Sequence, residues 1–198
     1  MKYLKNKKIL IIAAVAAMVL PGGVLYATTT NVGATATFLS AITLTPTNMQ
    51  FGKITFGATP GGSDTVALTT ASAISYNGTF ASGGSSTVAA GDVAITGTAG
   101  NVLNVSCATS GVLAQASGAG RITVNTIKIA NESAAAGGGN ACAGTGTTVL
   151  SFTLTATTDD QLKLGGVIDG STQVSFGSGA YSTSNSGGSS VQVDVVYQ

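Results

Sequence analysis

Apolar and polar residues alternate in short runs along residues 28–198, and no stretch there has the spacing of an amphipathic helix. The runs are rich in Val, Ile, Leu and Thr and are separated by clusters of Gly, Ser and Asn, which favour turns. The predicted strands are Val66–Leu68, Val93–Ile95, Leu103–Cys107, Ile122–Ile129 and Val149–Ala156. Several short strands joined by Gly-rich turns predict an all-β fold, an antiparallel β-sandwich.

The clearest alternation lies at the end of the sequence. Side chains of a strand point alternately to opposite faces, so this pattern predicts a strand with one apolar face and one polar face. The apolar face comprises Val191, Val193, Val195 and Tyr197, and the polar face comprises Gln192, Asp194 and Gln198. Because the sequence stops directly after this strand, we expect its neighbours to come from elsewhere in the fold or from another molecule.

A second alternating segment spans residues 28–44. Its apolar face comprises Val32, Ala34, Ala36, Phe38, Ile42 and Leu44. Proline lacks the N–H that a strand donates, so we expect strand pairing to end at Thr45–Pro46. About 13 extended residues reach roughly 40 Å, which is long for one sandwich strand. Two interpretations remain open: a long first strand that switches between sheets, or a detachable segment that pairs with another subunit.

One dipeptide predicts a tight hairpin. Asn77-Gly78 lies between Ile74 and Phe80, and Asn-Gly is the strongest short hairpin signal because both central residues of a type I′ turn need positive φ. We therefore expect the residues on its two sides to pair with each other.

The first 27 residues have the three-part layout of a secretory signal peptide. Four lysines lie within Met1–Lys8, the apolar run Ile9–Leu20 follows, and Ala27 offers a small residue at the cleavage position. An apolar run of about 12 residues is short of the ~20 that cross a bilayer, which disfavours a membrane anchor. The sequence thus predicts export of a single domain, residues 28–198, by way of the periplasm to the cell surface or the extracellular space.

Charge and composition narrow the function. Charged residues make up 8% of the chain, against about 25% in an average protein. The basic residues after the leader are Lys53, Arg121, Lys128 and Lys163. Four scattered cations cannot form a nucleic-acid-binding surface. The chain has no histidine, which removes Ser-His-Asp and Cys-His catalysis and the commonest zinc ligand. We expect a protein that is not an enzyme and that has no cofactor and no metal.

The acidic residues are dispersed, except for Asp159 and Asp160. Their context, Thr157–Gln161, is typical of a turn between strands, and we favour that interpretation. Two alternatives remain: a Ca²⁺ site that includes the pair, and a secreted hydrolase that uses dispersed carboxylates. Glycosidases commonly line their clefts with aromatic residues, whereas this chain has no tryptophan.

Cys107 and Cys142 are the only cysteines in the sequence. In an exported protein two cysteines are most simply one disulfide, and neither a Cys-x-x-Cys motif nor a neighbouring base supports a redox or catalytic role. A bridge that closes about 36 residues would contribute roughly 4 kcal/mol by reducing the entropy of the unfolded chain. We expect it to join the strand Val102–Cys107 to the Gly/Ala-rich loop Ser133–Gly146.

Several short segments resemble known families. Asn48–Ile54, Leu162–Gly166, Gly179–Ser182 and the final strand, in this order, resemble a secreted bacterial family known as domain of unknown function 4402. The ending Val195–Gln198, with tyrosine next to last, resembles that of chaperone–usher fimbrial pilins. The resemblance implies an immunoglobulin-like β-sandwich at the cell surface, often in a fimbria-like context. In such pilins the fold lacks its last strand, which a periplasmic chaperone supplies first and the N-terminal extension of the next subunit then replaces.

The pattern and the resemblance predict a structural subunit of a pilus, fimbria or similar surface polymer. Its expected partners are other copies of the chain, a periplasmic chaperone and an outer-membrane usher. The predicted donor strand is residues 28–42, with Val32, Ala34, Ala36 and Phe38 facing the neighbour. The predicted acceptor edge comprises Val191, Val193, Val195 and Tyr197. The alternative is a monomeric secreted or surface-attached β-sandwich that binds a ligand, such as a host or surface glycan, through its Gly/Ser-rich loops.

Overall fold

A computed structural model describes residues 35–57, 60–155, 160–170 and 177–198. The chain divides into two compact units, residues 1–38 and residues 39–198. Of the first unit only residues 35–38 are described, and they form no strand. The predicted signal peptide and its cleavage site lie outside the described residues. Within the described ranges, no helix is long and apolar enough to cross a membrane.

The second unit is all-β, as the sequence predicts. Its described residues form fourteen strands and one 3₁₀ helix, Glu132–Gly137. The strands are β1 (Thr43–Thr47), β2 (Ile54–Phe56), β3 (Thr65–Leu68), β4 (Ile74–Asn77), β5 (Phe80–Ser82), β6 (Gly91–Thr96), β7 (Val102–Cys107), β8 (Gly111–Gln115), β9 (Arg121–Asn131), β10 (Asn140–Ala141), β11 (Leu150–Thr153), β12 (Asp160–Asp169), β13 (Tyr181–Ser182) and β14 (Val193–Tyr197). Each run predicted from the sequence overlaps one of these strands, namely β3, β6, β7, β9 or β11.

Strand β12 is the centre of the larger sheet, in which the strand order is β1-β6-β12-β9-β8-β13. One edge of β12 pairs first with β6 and then with β3, and the other edge pairs with β9. The change of partner coincides with Gly165 and Gly166, where the register with β9 shifts. A Cβ on Gly166 would lie 2.7 Å from Cγ1 of Val124, so only glycine allows β9 to approach this closely. Strand β4 extends the sheet beyond β3, and β10 pairs with β9.

A smaller sheet contains three strands in the order β11-β7-β14. Its strand β14 pairs antiparallel with β7, with Val193 opposite Cys107 and Tyr197 opposite Leu103. After β7 the chain continues into β8, which belongs to the larger sheet, so one bent stretch joins the two sheets. Strands β2 and β5 pair with each other in a separate two-stranded ribbon.

The core lies between the two sheets. Side chains from both sheets contribute to one cluster of buried residues, which explains the alternating sequence pattern because each strand turns one face inward. Fully buried members are Val66, Ile95, Ile127, Ile129, Leu162 and Ile168 from the larger sheet and Leu103 and Val105 from the smaller sheet. This arrangement confirms the prediction of an antiparallel, sandwich-like all-β fold.

The disulfide joins Cys107 to Cys142, as predicted, and lies where the chain crosses between the sheets. Cys107 is the last residue of β7 and is fully buried, and Cys142 directly follows β10. The Cys142 N–H donates to the Ile127 carbonyl of β9, and the Gly144 N–H donates to the Cys107 carbonyl of β7. The bridge therefore fastens the Gly/Ala-rich loop at the point where it leaves the larger sheet for the smaller one.

The predicted hairpin at Asn77-Gly78 is wrong. Strand β4 ends at Asn77 and β5 begins at Phe80, but β4 pairs with β3 and β5 pairs with β2. The turn itself is present, with Gly78 at a φ of 70°. The Asp64 carboxylate accepts hydrogen bonds from the N–H and the hydroxyl of Thr79. These bonds tie the turn to the loop before β3.

The first strand is shorter than the alternating pattern predicts. Residues 35–42 form no strand, β1 begins at Thr43, and it continues through Pro46 to Thr47. The expected end of pairing at Thr45–Pro46 is therefore wrong. Because β1 is an edge strand of the larger sheet, a proline there need not remove a ladder hydrogen bond. Among the described strands β1 pairs with β6 alone, so a first strand that switches sheets is not present in this part of the chain.

Candidate functional site

An open groove of about 1040 Å³ runs along one side of the sandwich. One bank is residues 46–56, which run from the end of β1 through β2. The other bank is residues 177–183 together with residues 190–193, where β14 begins. Strand β1 is an edge of the larger sheet and β14 is an edge of the smaller sheet, and neither has a second partner among the described strands. The groove is thus a seam along which the two sheets are not joined.

The floor of the groove is part of the hydrophobic core. It is lined by side chains of the larger sheet, namely Val93, Leu113, Ile122, Val124, Leu164 and Ile168. Phe51 and Phe80 add aromatic surface beside them. Lys53 is the one charged residue among the described residues that line the groove. Such a site suits an uncharged and largely apolar occupant, because a charge buried there without a partner would be strongly unfavourable.

Hydrogen bonds to a neighbouring segment hold the first bank in place. Gln50 exchanges two backbone hydrogen bonds with Ala89, at 2.8 and 2.9 Å, and the Lys53 N–H donates to Oγ of Ser86 at 2.7 Å. Gly52 between them has a φ of 72°, and a Cβ there would lie 2.5 Å from the same Oγ. This bend therefore requires glycine. These bonds attach the bank to residues 86–89.

The backbone of the second bank has a free edge. In a strand, the N–H and C=O groups of successive residues point alternately to opposite edges. The Gln192 carbonyl accepts a hydrogen bond from the Ala108 N–H, and the Gln198 N–H donates to the Val102 carbonyl, so the even-numbered residues face β7. The residues whose backbone groups face the opposite edge are Val191, Val193, Val195 and Tyr197. On the same edge Ser189, two residues before Val191, already exchanges two backbone hydrogen bonds with Val112 of β8. The part of the edge that follows, at Val191 and Val193, is a template for another strand.

Only part of the predicted acceptor edge borders the groove. Val191 and Val193 line it, and Val195 and Tyr197 lie further along β14. There the start of β1 packs against the core, and the Tyr197 hydroxyl donates to the Ser40 carbonyl at 3.0 Å. Residues of the same chain therefore close the seam at this end, and the open part of the groove begins near Val193.

Half of the predicted donor face is described. Val32 and Ala34 lie outside the described residues, and Ala36 and Phe38 lie in a segment without regular secondary structure. The Phe38 side chain is 90% exposed, which leaves almost all of a large apolar surface in water. Burial of that surface by a partner would be favourable.

Asp160 begins β12, and its carboxylate binds the segment that precedes it. It accepts hydrogen bonds from the Thr155 N–H at 2.6 Å and from the Thr155 hydroxyl at 3.0 Å. Asp159 lies outside the described residues. In the part of the chain that the structure describes, no group of three or more potential metal ligands is present.

Asp64 is a buried carboxylate away from the groove. It accepts hydrogen bonds from the Gly61 N–H at 2.8 Å and from the hydroxyl and N–H of Thr79 at 2.8 and 3.2 Å. These bonds, that from Gly61 foremost, lower the pKa of Asp64 because they stabilise its charged form. Asp64 thus anchors the loop before β3 to the turn after β4.

The alternating pattern did not reveal the first bank or the middle of β12. The bank has no regular alternation, and Leu164 lies beside two glycines. The sequence signal that could have found them is a set of four short segments, Asn48–Ile54, Leu162–Gly166, Gly179–Ser182 and the final strand. Each of these four segments contributes to the groove: the first through Met49 and Phe51, the second through Leu164, the third through Tyr181 and the final strand through Val193.

No protein-family model matches this chain, and no curated protein and no solved structure matches it either.

Proposed function

We propose that this chain is a non-catalytic structural subunit of a pilus, fimbria or similar surface polymer, assembled when a strand of one copy fills the groove of the next. The groove is the observation that carries the proposal, because its apolar floor lies between two strand edges without further partners among the described strands. Export by the signal peptide, passage through the periplasm and assistance by a chaperone and an outer-membrane usher belong to the same proposal.

An unfilled groove is unfavourable in water. It leaves core side chains such as Leu113 and Val193 only half-buried, at a cost of about 25 cal/mol for each Å² of apolar surface in contact with water. It also leaves the outer backbone groups of β14 without a partner strand among the described residues. An added strand removes both costs, because its side chains cover the floor and its backbone pairs with the edge.

The N-terminal segment has the composition that such a groove requires. Residues 28–38 contain no charged residue. This suits the groove, because Lys53 is the one charged residue among the described residues that line it. In an extended conformation its apolar face would comprise Val32, Ala34, Ala36 and Phe38. The alanines allow close approach to the floor, and Phe38 supplies the largest apolar surface.

The proposed donor segment and the groove occupy different places on the domain, as a polymer requires. The N-terminal segment joins the domain at Ser40, beside Tyr197, whereas the groove is lined by Val191 and Val193 at the other end of the same stretch. A copy that donates at one place and accepts at another makes heterologous contacts, which build linear or helical polymers when the rotation between copies does not close into a ring.

A synthetic peptide of residues 28–39 tests this proposal on the full-length chain. We expect the peptide to bind, and we expect Val191→Asp to weaken binding by about tenfold or more, because a carboxylate would enter the apolar groove. Val196→Asp is the matched control, since Val196 lies on the same stretch and is 57% exposed. Circular dichroism verifies that both variants keep the β fold.

Electron microscopy of cells supplies the second measurement. We expect surface fibres with the wild-type chain and few or none with Val191→Asp. A wild-type chain that stays monomeric, does not bind the peptide and binds a glycan would contradict the proposal and would support the monomeric binding module instead.

A further inference from the structure

Three residues form a hydrogen-bonded contact where the N-terminal segment meets the domain. The Ser40 N–H donates to Oγ1 of Thr98 at 2.7 Å. The Tyr197 hydroxyl donates to the Ser40 carbonyl at 3.0 Å and accepts from the Thr98 N–H at 2.7 Å. Both backbone groups of Ser40 are therefore bound, one to each partner. We call this set of three residues the buckle.

The segment around Thr98, residues 97–101 of the same chain, leaves room for the buckle. A Cβ on Gly97 would lie 2.6 Å from the Tyr197 hydroxyl oxygen, so a side chain there would displace the phenol. The Asn101 side-chain amide donates to the Thr98 carbonyl at 3.0 Å, which holds the turn after β6 in position. Tyr197 thus reaches from the smaller sheet to the turn after β6 of the larger sheet and to Ser40, which precedes β1.

The buckle marks a boundary in the chain. On its C-terminal side Ile42 and Leu44 pack against the core of their own domain. On its N-terminal side the compact unit ends at Leu39, and residues 1–38 form the other unit. A segment that is donated to another copy must leave its own domain, whereas residues 40–44 are held by the buckle and by core contacts.

We propose that the buckle sets the end of the donated segment at Leu39, so that residues 40–44 stay in their own domain when copies join. This inference rests on the proposed strand exchange and narrows the donor strand from residues 28–42 to residues 28–39. Tyr197 is then a positioning residue, because it lies at the closed end of the seam. The incoming strand occupies the open part of the groove, beside Val191 and Val193.

Hydrogen–deuterium exchange of the full-length chain tests the buckle itself. Tyr197→Phe removes one hydroxyl and keeps the ring, and we expect the exchange rates of the Thr98 and Ser40 amides to rise by about tenfold. Tyr76→Phe is the matched control, because the half-buried Tyr76 makes no hydrogen bond through its hydroxyl to the described residues. Unchanged exchange at both amides in Tyr197→Phe would overturn the proposal.

A pair of peptides tests the boundary. For the wild-type chain we expect peptides of residues 28–39 and 28–44 to bind equally, because the chain's own residues 40–44 already fill the matching positions. For Tyr197→Phe we expect the longer peptide to bind better by about fivefold, since it can displace the released segment. Tighter binding of the longer peptide to the wild-type chain would overturn the boundary. Failure of both peptides to bind would instead contradict strand exchange, and the exchange rates would still decide whether the buckle holds Ser40.

Discussion

Phe38 is the residue whose substitution tests the proposed joining of copies most directly. Its side chain is 90% exposed in the single copy, so nearly all of its apolar surface remains for a partner to bury. Full burial of a phenylalanine contributes about 1.5–3 kcal/mol, and nine-tenths of that is about 1.4–2.7 kcal/mol. At about 1.4 kcal/mol for each factor of ten, Phe38→Ala should weaken binding by roughly 10- to 80-fold.

Calorimetric titration of the full-length chain with variant 28–39 peptides measures this effect. Phe38→Asp should weaken binding more than Phe38→Ala, because it also places a carboxylate in an apolar groove. Thr37→Asp is the control for added charge. Neighbouring side chains of a strand point to opposite faces, so Asp at position 37 would stay in water and should change affinity by less than about twofold.

The same substitutions in the full-length chain should reduce polymer yield in the same order, with monomer folding verified by circular dichroism. Normal fibres from Phe38→Asp, or fibres from a chain that lacks residues 28–38, would refute the donor strand. Equal losses from Thr37→Asp and Phe38→Asp would show that charge in the segment, and not burial of its apolar face, limits assembly.

Three further predictions concern stability. Asp64→Asn should lower the free energy of unfolding at neutral pH. The pKa of Asp64 is lowered in the folded state. Its ionised carboxylate therefore stabilises the fold above the unfolded pKa, and this stabilisation is lost as the pH falls. In urea denaturation the free energies of unfolding of wild type and variant should thus converge below about pH 4. Joint replacement of Cys107 and Cys142 by alanine should reduce the free energy of unfolding by about 4 kcal/mol, and an unchanged urea midpoint would contradict the loop-closure account. Gly166→Ala should cost about 1–3 kcal/mol by crowding β9, whereas Gly57→Ala, with no atom within 4 Å of the added methyl group, should leave thermal unfolding nearly unchanged.

Local alternation was sufficient to predict the strands whose one face is buried. In β6, Val93 and Ile95 turn inward while Asp92 and Ala94 are only partly covered, and the sequence shows this period directly. Strand β12 lacks that signal because Gly165 and Gly166 interrupt it. These glycines are explained by the close approach of β3 and β9, and such long-range contacts leave no periodic trace in a single sequence.

The site was predicted in part for the same reason. Val191 and Val193 belong to a regular alternating strand, so the pattern found one bank of the groove. The opposite bank depends on the bend at Gly52 and on hydrogen bonds to a segment more than thirty residues away. One end of the groove is closed by the hydrogen bond between Tyr197 and Ser40, which are 157 positions apart in the sequence. Propensity and periodicity act locally, and neither specifies which distant segments meet.

The edges of β1 and β14, which both border the groove, differ in how readily they accept a strand. Strand β1 contains Pro46, and Lys53 lies along the same bank; prolines and lysines are features by which edge strands resist pairing. Residues 191–197 contain neither proline nor lysine, and Val191, Val193 and Val195 pack against the core. An incoming strand is therefore expected to pair with β14. The apolar floor then selects its register, because a slip of one residue would turn the threonines of the segment inward and its apolar face outward. This selection distinguishes ordered assembly from the indiscriminate edge pairing that an uncharged, threonine-rich surface would otherwise permit.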